Sequence, residues 1–373
     1  MCHNNGVKAF WLFNHPAPYK VDFFNLLGKE IDLDVIFERA YEKGRNDEFY
    51  SRKPINFACE IAKSIYLGGI DNYTGLPVKR LKNNAYDVIV INGWRTLTEQ
   101  KTLRYLKKKK IPYVFHINGG IINATEAKWK TSYKRKYISG ASLYLAPDEE
   151  SANYLIHYGA DPEKIKLYPY STIFENETAD HVASPEEKEK ARKEFGLEGK
   201  RLYVSVGQYI DRKNYLFLIR LWKKMEKEDH LYIVGEGPLK ETYEKTIAGE
   251  GLTNVHLVPY MPHEQLFPYI RAFDAFVLLS KEDIYGHVVN EAMAQGLPVI
   301  ATTGVNAAKN LIQNEINGFV VPLDDEEKTL HALNGIHNPN MAEKSLNVAK
   351  ENTMEKSAVA MAELLRNWKE ENQ

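Results

Sequence analysis

The sequence predicts an α/β protein built from two doubly wound parallel sheets. Short apolar runs rich in β-branched residues recur along the 373 residues, and longer amphipathic segments separate them. The runs are almost continuously apolar, as in parallel strands that helices cover on both faces. They form two series of about six strands each, which is typical of two domains of ordinary size.

Each series can be placed along the chain. The predicted strands of the first half are Val7–Phe13, Leu33–Phe37, Asp87–Asn92, Pro112–Ile117, Ser142–Ala146 and Ile165–Tyr168. Those of the second half are Leu202–Gly207, Leu231–Gly235, Val255–Val258, Asp274–Leu279, Pro298–Ala301 and Gly318–Val321. Ligands bind beyond the carboxyl ends of strands in open α/β sheets, so two such domains are expected to face a central cleft.

A domain boundary is predicted near residues 174–184, where the chain is polar and lacks an apolar period. A helix is then expected to begin at Ser184, with Pro185 at its first position. Glu187 at the third position completes a capping box with the serine.

The predicted domains are residues 1–178 and 179–354. Residues 355–373 are predicted to form one more helix, which packs back on the N-terminal domain. The apolar residues on one face of that helix are Ala358, Met361, Leu364, Leu365 and Trp368.

Composition and charge narrow the class of protein. The 23 Tyr, 15 Phe and 5 Trp require sizeable cores and exclude a disordered chain. The net charge of -1 conceals a split, because residues 1–175 hold 26 Lys and Arg against 19 Asp and Glu, a net of +7. The remainder holds 23 against 31, a net of -8.

The only cysteines are Cys2 and Cys59, too few for a disulfide framework or a cysteine-based zinc site. A reducing cytoplasm is therefore expected. No stretch approaches the ~20 apolar residues of a spanning helix, and the N-terminus lacks the pattern of a signal peptide.

The densest chemical signal is the stretch Ser280–Ile300, which leaves a predicted strand, crosses a loop and enters a helix. Gly286 lets the backbone approach a ligand closely, and the amides of the helix start offer an anion site. Asp283 and Glu291 place one carboxylate before the helix and one about a turn into it. Spacing alone leaves an ordinary strand–helix unit with a solvated acid equally open.

This stretch resembles the signature of the retaining glycosyltransferases of family 4, which have the GT-B fold of two Rossmann-like domains. The signature is a carboxylate, seven residues and a Glu, within Ser-x-x-Glu-x-Phe/Tyr-Gly-x-x-x-x-Glu-Ala-Met-Ala-x-Gly-x-Pro-Val-Ile. The matching positions are Ser280, Tyr285, Gly286, Glu291, Ala292, Met293, Ala294, Gly296, Pro298, Val299 and Ile300. The first carboxylate is Asp283, one methylene shorter than the family's Glu.

The resemblance implies that the segment binds a sugar nucleotide. Glu291 would accept hydrogen bonds from two ribose hydroxyls, and Asp283 would hold a hydroxyl of the donor sugar. Backbone amides at the start of the helix would bind the diphosphate. The donor-binding residues implied in this segment are Tyr285, Gly286, His287, Val288 and Glu291.

A second segment, Tyr203–Asn214, is similar to the family's loop Val-Gly-Arg-Leu-x-x-x-Lys-Gly. Lys213 matches the phosphate-binding lysine and Gly207 the glycine, whereas Gln208 stands where the family has Arg. Arg212 is predicted to supply the missing guanidinium. Without the resemblance, both cations are typical solvated loop charges.

A third stretch, Val255–Tyr260 followed by His263–Leu266, is similar to the family segment whose backbone reads the base, and Tyr260 is predicted to contact the donor. The family's Gly there is Pro259, so UDP and GDP donors both stay open. Family members usually need no metal, and no cofactor is expected. Asp32 and Asp34 imitate a metal-binding DxD motif, but they lie in a predicted strand and are interpreted as structural.

In the first half, His116 ends a strand before a glycine-rich turn. It fits the family's histidine that bonds the donor sugar, although a structural histidine is the ordinary alternative. Acceptor contacts are predicted for His15 and Tyr19 in the first loop, and for Trp94 and Arg95 after a strand.

Two basic tracts, residues 104–110 and 128–137, mix cations with aromatic residues and account for the +7. They are either solvated helix faces or a surface that docks on anionic lipid headgroups. Nucleic acid is not the expected partner, because the second half predicts a nucleotide ligand.

The resemblance implies a hexosyltransferase that moves a sugar from a nucleotide sugar to an acceptor hydroxyl with retained configuration. Asp283, His116 and Lys213 would position substrates and stabilise charge; no nucleophile is assigned. The expected acceptor is a lipid-linked saccharide that is used in the assembly of cell-surface glycans. The protein is expected to work in the cytoplasm, at the inner face of the cell membrane. The alternatives are a non-catalytic sugar-nucleotide-binding partner subunit and a GT-B epimerase.

Overall fold

The computed structural model describes residues 6–41, 52–67, 71–123 and 125–372, and Cys2 lies outside them. The chain forms two compact units. Unit 1 comprises Met1–Thr172 and Met354–Gln373, and unit 2 comprises Ile173–Thr353. The first division predicted from the sequence, after position 178, lies a few residues later than the one observed.

The strands of unit 1 form a parallel sheet and a small hairpin. They are β1 (Lys8–Phe13), β2 (Asp32–Phe37), β3 (Ala58–Ile61), β4 (Ile65–Leu67), β5 (Asp71–Tyr73), β6 (Val88–Asn92), β7 (Val114–His116), β8 (Leu143–Ala146) and β9 (Ile165–Leu167). The sheet order is β3-β2-β1-β6-β7-β8-β9, and β4 pairs antiparallel with β5. All six predicted strands are present, whereas β3, β4 and β5 were not predicted.

Helices surround this sheet and include the C-terminal one. They are α1 (Pro18–Glu30), α2 (Leu76–Asn83), α3 (Leu97–Lys109), α4 (Lys128–Ile138), α5 (Glu149–His157) and α14 (Met354–Glu371). Helix α14 packs along α1, where the Arg366 guanidinium donates to the Glu30 carbonyl at 2.8 Å. Of the face predicted for α14, Leu364 is half-buried and the other four residues are buried.

Unit 2 repeats the architecture with one fewer strand in its sheet. The strands are β10 (Arg201–Val206), β11 (Asp229–Val234), β12 (Val255–Val258), β13 (Ala275–Leu278), β14 (Val299–Thr302) and β15 (Gly318–Val321). The helices are α6 (Pro185–Phe195), α7 (Tyr215–Leu221), α8 (Lys240–Gly249), α9 (His263–Ile270), α10 (His287–Ala294), α11 (Asn306–Leu311), α12 (Glu326–Gly335) and α13 (Pro339–Lys350). The six predicted strands match these six.

The start of α6 shows how local sequence sets an element. The Ser184 hydroxyl accepts the Glu187 amide at 3.2 Å, and the Glu187 carboxylate accepts the Ser184 amide at 2.7 Å. This is the predicted capping box, and it satisfies two amides that a helix start leaves without intrahelical partners.

The sheet order β12-β11-β10-β13-β14-β15 positions the candidate site of unit 2. All these strands are parallel, and the direction of progression reverses between β10 and β13. At such a reversal the loops that follow the two central strands diverge to opposite faces and leave a crevice at the carboxyl edge.

The aspartates of the DxD-like pair belong to the sheet of unit 1. Asp34 is buried in β2 and accepts the Arg80 guanidinium at 2.9 Å and the Tyr86 hydroxyl. The pairing agrees with the structural interpretation of this motif. Within the described ranges, no helix is long and apolar enough to cross a membrane.

Candidate functional site

The loops that follow β10 and β13 bring three charged side chains together at the reversal of the unit 2 sheet. Lys213 Nζ lies 2.7 Å from Asp283 Oδ2, and an Arg212 terminal nitrogen lies 3.0 Å from the same oxygen. Lys213 and Asp283 are 70 positions apart in sequence, and the parallel pairing of β10 with β13 makes them neighbours. Arg212 thus lies beside Asp283, and its role as a substitute guanidinium stays a prediction.

The burial of the cluster defines its electrostatics. The Lys213 side chain is 8% exposed and that of Asp283 is 16% exposed, whereas Arg212 is 41% exposed. Burial raises the pKa of Asp283, but the charges and hydrogen bonds of Lys213 and Arg212 outweigh burial and hold that pKa below its usual value. Asp283 is therefore a carboxylate at neutral pH, and it faces two donors that can also bind phosphate oxygens.

Backbone hydrogen bonds hold the two loops against each other. The Lys281 amide donates to the Arg212 carbonyl at 2.9 Å, and the Asp283 amide donates to the Gly304 carbonyl at 2.8 Å. A Cβ on Gly304 would lie 2.2 Å from the Lys281 carbonyl oxygen, so only glycine permits this approach. The position of the Asp283 carboxylate is therefore fixed by three segments of the chain.

Gly286 begins α10 in a left-handed conformation. Its φ is +93°, and a Cβ there would lie 2.6 Å from a methyl carbon of Val305. Both facts require glycine. The turn directs the first amides of α10, which include those of His287 and Val288, toward the carboxyl edge of the sheet, and a helix start of this kind favours an anion.

Glu291 lies one turn into α10 and is 7% exposed. Burial raises the pKa of Glu291, as does the charge of Glu177, while the charges of His263 and Lys213 oppose the rise. Glu291 Oε1 lies 3.7 Å from His263 Nε2. The charge of Lys213 therefore lowers the pKa of both acidic side chains of the predicted motif.

The remaining predicted donor residues of unit 2 differ in exposure. Gly207 lies beneath Lys213, since a Cβ on it would come within 3.1 Å of the lysine Cε. Tyr285 is buried, whereas Gln208 and Tyr260 are exposed.

Two contributors to this site were not among the predicted site residues. His263, the first residue of α9, faces Glu291. Gly235 comes so close to the β10 loop that a Cβ would lie 2.0 Å from the Gly207 carbonyl oxygen. The signal for Gly235 is its place at the end of a predicted strand. The signal for His263 is its place in the stretch that resembles the family's base-reading segment.

The structure places His116 inside unit 1. It is 1% exposed, and its ring nitrogens engage the Asn92 side chain and, at 2.8 Å, the Tyr168 hydroxyl. Burial and the charge of Lys20 lower its pKa well below the usual value, so the ring is neutral. Both nitrogens already have partners, so a sugar contact would replace one of these bonds, and the assignment stays a prediction.

The predicted acceptor residues follow β1 and β6, the strands at which the unit 1 sheet reverses direction. Trp94 is half-buried and donates its indole N–H to the Tyr154 hydroxyl at 3.3 Å. Arg95 is exposed, and His15 and Tyr19 are half-buried. These four side chains belong to the carboxyl edge of unit 1, the edge at which such sheets bind ligands.

Clusters of metal-ligating side chains are absent from the part of the chain that the structure describes. There, no group of three or more His, Cys, Asp or Glu side chains is arranged to hold an ion. The expectation that no metal is needed stays a prediction.

Comparison with known proteins bears on the second unit above all. Residues 187–356 match the family model described as "Glycosyl transferases group 1". The "Putative teichuronic acid biosynthesis glycosyltransferase TuaC" of Bacillus subtilis (strain 168) is 30% identical over 199 residues, which are 52% of this chain and 47% of that protein. The chain spans about half the length of several curated relatives that it matches.

Two further comparisons extend over more of the chain. The "UDP-Gal:alpha-D-GlcNAc-diphosphoundecaprenol alpha-1,3-galactosyltransferase" of Escherichia coli is 25% identical over 267 residues, 68% of this chain and 67% of that protein. The crystal structure of Anabaena Alr3699/HepE in complex with UDP and glucose has a TM-score of 0.69 at 18% identity, over 97% of this chain and 100% of that one. The predicted fold of two Rossmann-like parallel-sheet domains is confirmed.

Proposed function

We propose that this chain, whose residues 187–356 match the group 1 glycosyl transferases, transfers a glycosyl group from a nucleotide sugar to an acceptor hydroxyl. The observation that carries the proposal is the cluster of Lys213, Arg212 and Asp283 at the reversal of the unit 2 sheet. It stands beside a helix start suited to a diphosphate and a buried carboxylate suited to ribose hydroxyls.

Each group has a role that its environment supports. Lys213 and Arg212 bind diphosphate oxygens and stabilise the charge that develops on the leaving group. The amides at the start of α10 share that load. The two cations keep Asp283 ionised, and its carboxylate accepts a hydrogen bond from a hydroxyl of the sugar. The Glu291 carboxylate accepts hydrogen bonds from the ribose hydroxyls.

Two features of the donor and the chemistry are part of the proposal. A UDP sugar is the preferred donor, since UDP is bound in the Anabaena structure and named in the Escherichia coli relative. We assign retention of the anomeric configuration because of the family signature, and we assign no protein nucleophile. The acceptor is a lipid-linked saccharide, like the diphosphoundecaprenol-linked sugar in the name of the Escherichia coli relative.

A thermal-shift screen with UDP, GDP and ADP sugars tests donor binding, because a ligand that binds only the folded state raises the unfolding temperature. We expect the UDP sugars to give the largest shifts. Slow hydrolysis of the same donors, followed by NMR of the anomeric proton, then tests catalysis and configuration. Binding without hydrolysis or transfer would favour the non-catalytic partner subunit instead.

Unit 1 carries a surface suited to an anionic membrane. The two basic tracts lie on α3 and α4, which contact each other. Lys107, near the end of α3, donates to the Lys136 carbonyl at 2.7 Å and so ties the helix ends together. On α4, Trp129 is 68% exposed and Tyr133 is 42% exposed, among several exposed cations.

We propose that this surface attaches the protein to anionic lipid headgroups, at about 1 kcal/mol for each cation near the membrane. Flotation with vesicles of phosphatidylglycerol and phosphatidylcholine measures the attachment. The wild type should float at low salt, and Trp129→Ser should reduce the bound fraction several-fold. Ile156→Ser, an exposed apolar residue on α5 of the same unit, is the control, and equal loss in both variants would contradict the assignment.

A further inference from the structure

Lys20 is a buried cation that the proposed chemistry leaves without a role. It is the third residue of α1 and is 3% exposed. The start of a helix disfavours positive charge, and burial of an ammonium disfavours it further. The position therefore costs stability that an apolar residue of similar size would avoid.

The surroundings of Lys20 are aromatic and contain one hydrogen-bond acceptor. Nζ donates to Asn118 Oδ1 at 2.7 Å. The rings within cation–π distance are those of Tyr170 at 4.6 Å, Phe13 and Tyr19 at 5.5 Å and Phe23 at 5.6 Å. In the described part of the chain no carboxylate pairs with this ammonium, and burial lowers the pKa of Lys20 to about 7.

The partner of Lys20 stands at the carboxyl edge of the unit 1 sheet. Asn118 follows β7 two residues after His116 and opens the glycine pair 119–120. Its side chain is half-buried. This edge also carries the residues predicted to contact the acceptor, so the loop lies where a ligand of unit 1 is expected.

The hydrogen bond fixes which way the Asn118 amide points. An ammonium can only donate, so Asn118 must offer Oδ1 to Lys20 and turn its Nδ2 away. Within the described ranges, no group accepts from Nδ2, although the carbonyl end of the same amide is engaged. The result is an oriented donor at the edge of the sheet, held by a charge.

We propose that Lys20 is a positioning residue that orients Asn118, and that Asn118 Nδ2 donates a hydrogen bond to an oxygen of the acceptor. This inference rests on the proposed glycosyl transfer. The burial of Lys20 costs stability, and recognition of the acceptor is the function that accounts for this cost. Ionisable groups with perturbed pKa values cluster at functional sites.

Steady-state transfer tests it with two probe acceptors, a synthetic N-acetylglucosamine diphosphate lipid and an alkyl N-acetylglucosaminide. Asn118→Ala and Lys20→Met should each raise the acceptor KM about 10-fold, the equivalent of one hydrogen bond. The donor KM and kcat should stay within about 2-fold. An effect confined to the diphosphate probe would identify a phosphate oxygen as the partner, and an equal effect on both would identify a saccharide hydroxyl.

Lys20→Arg keeps a cation that can only donate. Its acceptor KM should therefore be close to that of the wild type, unlike that of Lys20→Met. Lys29→Met, on the exposed end of the same helix, is the matched control. A neutral amine can also accept, so the acceptor KM of the wild type should rise as the pH passes 7, and that of Asn118→Ala should not. The titratable groups that face Lys20 are Tyr19 on α1, Tyr170 after β9 and the neutral His116 of β7.

A measurement that needs no turnover tests the contact between Lys20 and residue 118 by itself. Asn118→Asp would pair a carboxylate with Lys20, so lysine ε-carbon NMR should show its pKa rise from about 7. Wild-type acceptor KM in both Asn118→Ala and Lys20→Met would overturn the inference. Absence of transfer by the wild type would overturn the proposed function first, and this inference with it.

Discussion

The two units treat positive charge in opposite ways. In unit 2, which holds 20 Lys and Arg against 28 Asp and Glu, the cations of the candidate site are paired with Asp283. In unit 1, which holds 29 against 22, the most deeply buried cation of the carboxyl edge, Lys20, has an amide and aromatic rings as its partners. Net charge therefore does not locate the groups that we propose to bind anions.

The difference follows from what each cation faces. Lys213 can exchange a carboxylate for phosphate oxygens, since both accept the same hydrogen bonds. The excess positive charge of unit 1 lies instead on the exposed faces of α3 and α4, the surface proposed to attach to a membrane. The acidic unit is thus the one whose local chemistry suits a diphosphate.

The largest effect is expected from removing the Glu291 carboxylate, which we propose binds the ribose of the donor. Glu291→Ala should lower kcat/KM for transfer about 10²–10⁴-fold, because two charge-assisted hydrogen bonds contribute about 3–6 kcal/mol. The free energy of unfolding should not fall, because burial disfavours the ionised form of Glu291. Its contact with His263, at 3.7 Å, is too long to offset that cost. Glu241→Ala, an exposed position on α8, is the control. Wild-type turnover in Glu291→Ala would reject the site.

The next effect concerns the backbone that frames the site. Gly286→Ala should lower the free energy of unfolding by about 2–4 kcal/mol, since it adds both left-handed strain and a clash with Val305. Measured against Val305→Ala alone, Gly286→Ala should cost only the part due to the left-handed strain, because the clash is gone. Chemical denaturation measures both, and Gly249→Ala, whose Cβ would meet nothing within 4 Å, should be neutral or stabilising. Equal losses at both glycines would contradict this view.

The buried lysine of unit 1 should show itself in the pH dependence of stability. The pKa of Lys20 is about 7 in the fold against 10.5 unfolded, so the unfolded chain binds more protons between these values. Wild-type stability should rise with pH across that window. Lys20→Met removes the penalty and should be more stable by a few kcal/mol below pH 7, with the difference vanishing above pH 10.5. A constant difference across the window would show that Lys20 is not penalised by burial.

The smallest effect is expected from neutralising the paired carboxylate of unit 2. Asp283→Asn should cost about 1–2 kcal/mol at pH 7, because two cations lose their counter-charge. The pKa of Asp283 is held below its usual 3.8, so this contribution is present above pH 3.8 and is lost as the pH falls through the lower value. Denaturation at pH 7 and pH 3 measures the change, and an equal cost at both values would show that charge is not the cause.

Strand prediction found all twelve apolar runs and missed three short strands of unit 1, β3, β4 and β5. Nine of the twelve predicted runs became interior strands, and three became the edge strands β9, β12 and β15. The edge strand Ala58–Ile61 mixes a charged residue with partly exposed positions, and the hairpin strands span three residues each. Elements that bury little apolar surface leave little pattern to read.

Spacing in the sequence predicted the parts of the candidate site that lie within one segment of the chain. Gly286 and Glu291 lie in a single loop and helix, so their relation follows from spacing. The ion pair of Lys213 with Asp283 joins residues 70 positions apart, and the resemblance alone had grouped them.

The sequence by itself determined the two parallel sheets, the capping box at Ser184 and the turn at Gly286, because periodicity, capping and backbone conformation are local properties of the chain. Only the tertiary structure decided which charges meet. The reversal of strand order at β10 and β13 brings Asp283 to Lys213, and the packing of α1 against the sheet buries Lys20 beneath Asn118. Burial and long-range pairing set the state of these groups, and neither is a property of the neighbouring residues in sequence.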